Sequence, residues 1–208
     1  MTRRLFGLLL VSALLAAAPA HARAVEFIAG GGGGYEWFDL RALNYNDLLS
    51  VDAVDATGNQ ITYDPPIHKY KGSYFAFDVY AGLKILAFGL MVDYRGSYTK
   101  ENLSFNQLML DLTFFIPTKK IVPFIRMGVG YVWARARVKS DDPDIELLKG
   151  TITARGLGGR VGAGIDFRLV KFFSFGVGCD VGFLYFKSDS GRSLGMVVDL
   201  LGRLTFHV

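Results

Sequence analysis

An all-β chain folded as an eight-stranded antiparallel transmembrane up-and-down β-barrel is what the sequence predicts, on three grounds. Residues 155–187 alternate position by position: Leu157, Gly159, Val161, Ala163, Ile165, Phe167 and Leu169 oppose Arg160, Asp166 and Arg168 set among glycines. After Val170 and Lys171 the alternation restarts, with Phe173, Phe175, Val177, Cys179, Val181, Phe183 and Tyr185 against Ser174, Gly176, Gly178, Asp180 and Gly182. A period of two belongs to a strand, so this is a hairpin. Each arm exceeds the roughly five or six residues of an ordinary strand and is about long enough, when tilted, to cross a bilayer. The second ground is that glycine shares the charged face. Glycine relieves the crowding inside a small barrel, so the charged face lies inside and the apolar face outside, the reverse of a soluble barrel. The third is that tight turns alternate along the chain with longer polar connections.

The elements follow in order. Residues 1–22 open with Arg3 and Arg4, run through an apolar core from Leu5 to Ala18 and end on Ala20-His21-Ala22, the layout of a secretory signal peptide. The arginine pair resembles a twin-arginine signal, but that route exports folded proteins, whereas a membrane barrel crosses the inner membrane unfolded; the general secretory route is expected. No cysteine follows the cleavage site, so a lipoprotein is not expected. Residues 23–208 then form one barrel domain. Its first strand starts at Val25, with Phe27, Tyr35 and Trp37 outward and Glu26 and Glu36 inward. The five glycines at 30–34 are not a phosphate loop, because strand pattern continues through Trp37 where such a loop needs a helix N-terminus. Residues 40–72 lose periodicity and carry Asn44, Asn46, Gly58, Asn59, Pro65 and Pro66, which predicts a long loop. Residues 73–85 and 88–99 make a hairpin around Leu86-Ala87. Residues 103–116 and a strand from Ile121 to beyond Trp133 make the next, around Pro117-Thr118-Lys119-Lys120, where proline need not donate a ladder bond. A polar loop at 139–151 leads into the hairpin at 155–187, and residues 193–206 supply the eighth strand, with Asp199 and Arg203 inward.

Composition narrows the function. With 51% hydrophobic and 20% charged residues in 208, the chain has room for one domain and is more apolar than an average soluble protein. No apolar run of about 18 residues lies beyond the N-terminal segment, which argues against a helical membrane protein. Removing Arg3 and Arg4 with the leader lowers the formal charge from +4 to +2, 21 Lys and Arg against 19 Asp and Glu, so nucleic acid is not an expected partner. Cys179 stands alone on an apolar face and reads as a small apolar side chain; no cofactor or metal is expected.

From Val25 to its end the chain resembles the small eight-stranded bacterial outer-membrane barrels of the OmpA and OmpX type. The resemblance is carried by the signal peptide, eight alternating strands, the asymmetry of the connections and the aromatic Phe206 near the C-terminus. It implies an integral Gram-negative outer-membrane protein, both termini periplasmic, inserted by the barrel assembly machinery and expected to be a monomer. Members usually end on an aromatic residue that the machinery recognises, whereas this chain ends Phe206-His207-Val208. No peptidoglycan-binding domain like that of the larger relatives is expected after the barrel.

Turn lengths predict pairings inside the barrel. Pairing Ile85 with Phe88 puts Asp78 opposite Arg95; pairing Ile116 with Ile121 puts Asp111 opposite Arg126; pairing Leu169 with Phe173 puts Gly162 opposite Asp180, with Arg160 diagonal and within reach. Buried charges persist only when paired, so the acids Glu36, Asp78, Asp93, Asp111, Asp166, Asp180 and Asp199 and the bases Lys84, Arg95, Arg126, Arg160, Arg168 and Arg203 are expected to form one network plugging the lumen. The alternative is charges scattered through a wet lumen. Outside, Arg135, Arg137, Arg155 and Lys187 lie just beyond Tyr131, Trp133 and Tyr185, where they form a basic patch for lipopolysaccharide phosphates unless Arg137 and Lys187 belong to solvated loops.

The expected function is therefore non-enzymatic: a plugged barrel serving envelope integrity, or surface interaction through the loops at 40–72 and 139–151. One alternative is a narrow channel for small or apolar solutes, favoured by the inward Phe105, Met109 and Phe115. The other is an enzyme acting on lipid A; such barrels imply a histidine with a serine nearby. Here His21 leaves with the leader, His68 lies in a loop with no adjacent serine and His207 is at the end, so no residue receives a catalytic role. The acids Asp141, Asp142, Asp144 and Glu146, and Asp52 with Asp55, lack calcium-loop spacing and read as solvated.

Overall fold

The computed structural model describes residues 25–43, 51–54, 57–63, 71–98, 103–137, 146–147, 151–187 and 192–208. The expected leader, His68, Asp55 and the acids at 141–144 lie outside the described residues. The described residues form eleven strands: β1 (Val25–Leu43), β2 (Val51–Val54), β3 (Gln60–Tyr63), β4 (Lys71–Ile85), β5 (Phe88–Tyr98), β6 (Leu103–Phe115), β7 (Ile121–Arg137), β8 (Glu146–Leu147), β9 (Thr151–Val170), β10 (Phe173–Lys187) and β11 (Arg192–His207). Eight of them close a barrel in the order β1-β4-β5-β6-β7-β9-β10-β11, every neighbour antiparallel. Closure falls on β1, whose Gly32 faces Asp78 of β4 on one side and Arg203 of β11 on the other. Phe27 and Val208 seal that seam with two backbone hydrogen bonds of 3.0 and 2.9 Å.

The region expected to be one loop at 40–72 is instead partly strand. β1 continues to Leu43, β4 begins at Lys71, and between them β2 and β3 pair as a hairpin. Likewise β8 interrupts the expected loop at 139–151, and β9 already starts at Thr151. β2 also pairs with β8, through Ala53 opposite Leu147 and Val54 opposite Glu146, so the two regions meet in a small sheet outside the barrel wall. Periodicity fails there because a strand standing clear of the membrane has no need of one greasy and one charged face.

Leu90, Val92, Leu110, Leu112, Ile125, Met127, Val129, Val161 and Val177 all project outward and are exposed, and similar side chains continue around the whole wall. A folded chain in water does not display an apolar surface of that extent; lipid covers it. Tyr35, Tyr98, Tyr131 and Tyr185 stand on the same outer face toward the long-loop end, with the Tyr131 and Trp133 rings 5.7 Å apart, as an aromatic girdle. At the opposite end the turns are short. Leu86 enters its turn with φ of 56°, the left-handed geometry a two-residue hairpin needs at its first position.

Candidate functional site

The middle of the lumen is a layer of buried charge. Asp93 is its hub: Arg160 and Arg203 reach Oδ2 at 2.7 and 3.0 Å, and Arg95 and Arg126 stand 3.9 Å away. Arg95, fully buried, bridges Asp180 at 2.9 Å and Asp199. Arg126 forks onto Asp180, its Nε donating at 2.6 Å. Arg160 forks onto Asp111, its Nε donating at 3.0 Å, and Arg203 pairs with Asp78. Glu36 faces Asp199 across the seam and accepts from the Ser97 hydroxyl at 2.5 Å and the Gln107 amide at 3.2 Å.

All six residues expected in ion pairs are in them, but with other partners. Asp78 does stand opposite Arg95, yet each pairs elsewhere. Asp111 stands opposite Gly128, and Arg126 opposite Thr113, because the β6–β7 turn is wider than four residues: Phe115 pairs with Phe124, and the Ile116 amide donates to the Pro123 carbonyl. A shift of two residues preserves which face each side chain takes, so Asp111 and Arg126 stay inward while losing each other. In the next hairpin Val170, not Leu169, pairs with Phe173, and Leu169 is absorbed as a bulge; Asp180 still faces Gly162, but Arg160 binds Asp111 and Asp93 instead of Asp180.

A single rule relates three of the observed pairs. Arg203, Gly32 and Asp78 occupy one row across β11, β1 and β4; Arg160, Gly128 and Asp111 one row across β9, β7 and β6; Asp180, Gly162 and Arg126 one row across β10, β9 and β7. Each pair spans two strand spacings, roughly 10 Å, a distance that an extended arginine and an aspartate cover together and that adjacent strands do not offer. Each passes over a glycine, and a Cβ at Gly32, Gly128 or Gly162 would run into the aspartate.

Apolar layers lie on both sides of the charge. Toward the long loops, Phe38, Phe105, Met109, Val132, Leu184, Phe186 and Val197 pack together; toward the short turns, Ile28, Tyr80, Met91, Phe115, Val122 and Phe124 do so. Beyond the second layer, at the short-turn mouth, is a polar rim that sequence reasoning missed. Glu26 carries Lys84 at 3.0 Å and Arg168 at 4.0 Å; His207 Nδ1 lies 2.8 Å from Glu26 Oε1, and His207 Nε2 lies 2.9 Å from the Ser174 hydroxyl. The inward parity of all five residues was readable; what brings them together is the closure of β11 onto β1. Asp166 lies near this rim with no ion pair among the described residues, although it was expected to join the network.

On the outer surface Arg135, Arg155 and Lys187 are exposed. Arg155 faces Trp133 on one side and Lys187 on the other, and Lys187 in turn faces Arg192; Arg137 occupies a strand position opposite Thr151, so neither it nor Lys187 belongs to a loop. Arg155 and Lys187, both exposed, thus stand directly opposite one another, and like charges so placed destabilise a sheet.

Architecture and surface together define a class: a closed, eight-stranded, all-antiparallel up-and-down β-barrel built as the small outer-membrane barrels are. Known structures show the same fold. Neisserial surface protein A superposes with a TM-score of 0.57 at 9% identity, covering 88% of this chain and 97% of that one. The N-terminal β-barrel domain of Pseudomonas aeruginosa OprF superposes with a TM-score of 0.50 at 12% identity, covering 89% and 98%. No protein-family model and no curated protein matches the sequence.

Proposed function

We propose that this chain is an integral outer-membrane protein with a plugged lumen, serving envelope integrity and surface interaction and not solute passage. The observation that carries the reading is the layered interior. An ion entering from either end meets a packed apolar layer before it reaches charges already engaged with one another. No histidine lies in that central layer among the described residues, and we assign the layer no catalytic role.

The short turns then face the periplasm together with both ends of the barrel, and the long connections face outward. The exposed cations Arg155 and Lys187, opposite one another, with Arg135 exposed nearby, support contact with lipopolysaccharide phosphates, for which forked, charge-assisted donors suit the arginines. The sheet of β2, β3 and β8 is the platform for a surface ligand. Planar-bilayer recording of the refolded protein tests the plug: membranes containing it should stay electrically silent. Steady, reproducible single-channel conductance would replace this reading with that of a narrow channel.

A further inference from the structure

We propose that the short-turn rim beside β7, β9 and β10 is a binding surface for anionic glycerophospholipid, with Lys119, Lys120 and Lys171 taking the phosphate. The surface lies at the opposite end of the barrel from Arg135, Arg155 and Lys187. It rests on the reading that the short turns face the periplasm, and so the leaflet without lipopolysaccharide. All three lysines are exposed, Lys119 and Lys120 in the β6–β7 turn and Lys171 in the β9–β10 turn. The two turns stand side by side because β7 pairs with β9, Ile121 facing Phe167, and the Arg168 amide donates to the Lys120 carbonyl at 2.8 Å.

Two observations point to a lipid. The first is charge of one sign. The acidic side chains at this end, Glu26 and Asp166, belong to the lumen, where Glu26 carries Lys84 at 3.0 Å and Asp166 is buried. Among the described residues no acid lies within ion-pair distance of the three lysines, so their combined field attracts an anion from outside the chain. The second is what stands between the charges. Lys171 lies between Val170 and Phe172, and Lys120 precedes Ile121; all three apolar neighbours are exposed. An acidic polymer in water gives those side chains nothing to cover them, whereas a phospholipid supplies both parts of the contact. Its acyl chains meet Ile121, Val170 and Phe172, and the lysine stems run along that apolar surface to set each ammonium at the phosphate level. The Arg168 side chain, 34% exposed beside Lys120, adds a forked donor. A lysine binds phosphate as a point charge, so the rim selects for net negative charge and not for headgroup shape. Phosphatidylglycerol and cardiolipin should therefore both bind ahead of zwitterionic phosphatidylethanolamine.

The test is native mass spectrometry of the protein released from vesicles of phosphatidylethanolamine and phosphatidylglycerol, its folding confirmed by heat-dependent mobility. Phosphatidylglycerol should be enriched on the protein over its share of the vesicle. Each cation near an anionic membrane surface strengthens binding roughly fivefold, so the triple variant Lys119→Gln, Lys120→Gln, Lys171→Gln should lose at least about tenfold of that preference. Exposed turn lysines tolerate glutamine, and the matched variant Arg135→Gln, Arg155→Gln, Lys187→Gln should keep the preference. No enrichment on the native protein, equal enrichment in the short-turn variant, or loss only in the matched variant would overturn the proposal. Displacement of the lipid by inorganic phosphate at equal concentration would also overturn it, since the rim would then be a site for free anions. Protein taken from cells reads the leaflet separately. If the short-turn variant sheds lipopolysaccharide there and not phospholipid, the placement of the short turns fails, while the vesicle result still stands for the phosphate contact.

Discussion

Replacing Gly128 by alanine should damage the barrel through a residue on another strand. The added methyl would occupy the place of the Asp111 Oδ1 that accepts from Arg160 Nε, while the nearest backbone atom, the Leu110 carbonyl oxygen, is 3.3 Å away, a tight contact but not an overlap. The carboxylate must therefore turn out of the Arg160 fork. Breaking a buried pair costs about 3–5 kcal/mol, and alanine returns roughly 0.5–1 through its lower chain entropy, so a net loss of about 2–4.5 kcal/mol is expected. Gly159→Ala is the internal control. It adds the same methyl to the lipid face of β9, where the nearest atom is 3.8 Å away, and should be neutral or slightly stabilising. Equilibrium urea unfolding in lipid vesicles, followed by the fluorescence of Trp37 and Trp133, measures both. The reasoning also requires that Asp111→Ala cost little more once Gly128→Ala is present, since the fork is already broken. Equal stability of the two glycine variants, or full additivity with Asp111→Ala, would refute the glycine rows.

Asp111→Ala alone should cost on the order of 3 kcal/mol by removing the carboxylate that both Arg160 Nε and Nη2 engage, leaving that arginine only Asp93, and the further change Arg160→Ala should recover part of it; strictly additive losses in that double-mutant cycle would show that the two side chains do not act as a pair. Changing Arg135, Arg155 and Lys187 together to glutamate should reduce lipopolysaccharide co-purifying with the folded protein and sensitise the envelope to detergent, whereas unchanged lipid content would remove the phosphate patch. Circular dichroism of the refolded protein in detergent should show β structure throughout; a mainly helical spectrum is incompatible with the fold.

Much of this architecture is written in the chain because a membrane barrel faces lipid on one side of each strand and its own crowded interior on the other. Alternation therefore reports the inward and outward residues of β9 and β10 directly, and a two-residue turn such as Leu86-Ala87 leaves only one register for β4 and β5. Parity alone placed Asp78, Asp111, Arg126, Arg160 and Asp180 in the lumen. Their partners were not legible, for three physical reasons. A register shift of two leaves the pattern of faces unchanged, so the wider β6–β7 turn is silent in the sequence. An arginine's length favours partners two strands away over a glycine, which becomes visible only when three registers are known together. The strands β2, β3 and β8 carry no two-solvent signal. The rim shows the division most plainly: Glu26, Ser174 and His207 are each inward by parity, but they meet because the last strand closes on the first, and that contact exists only in the tertiary structure.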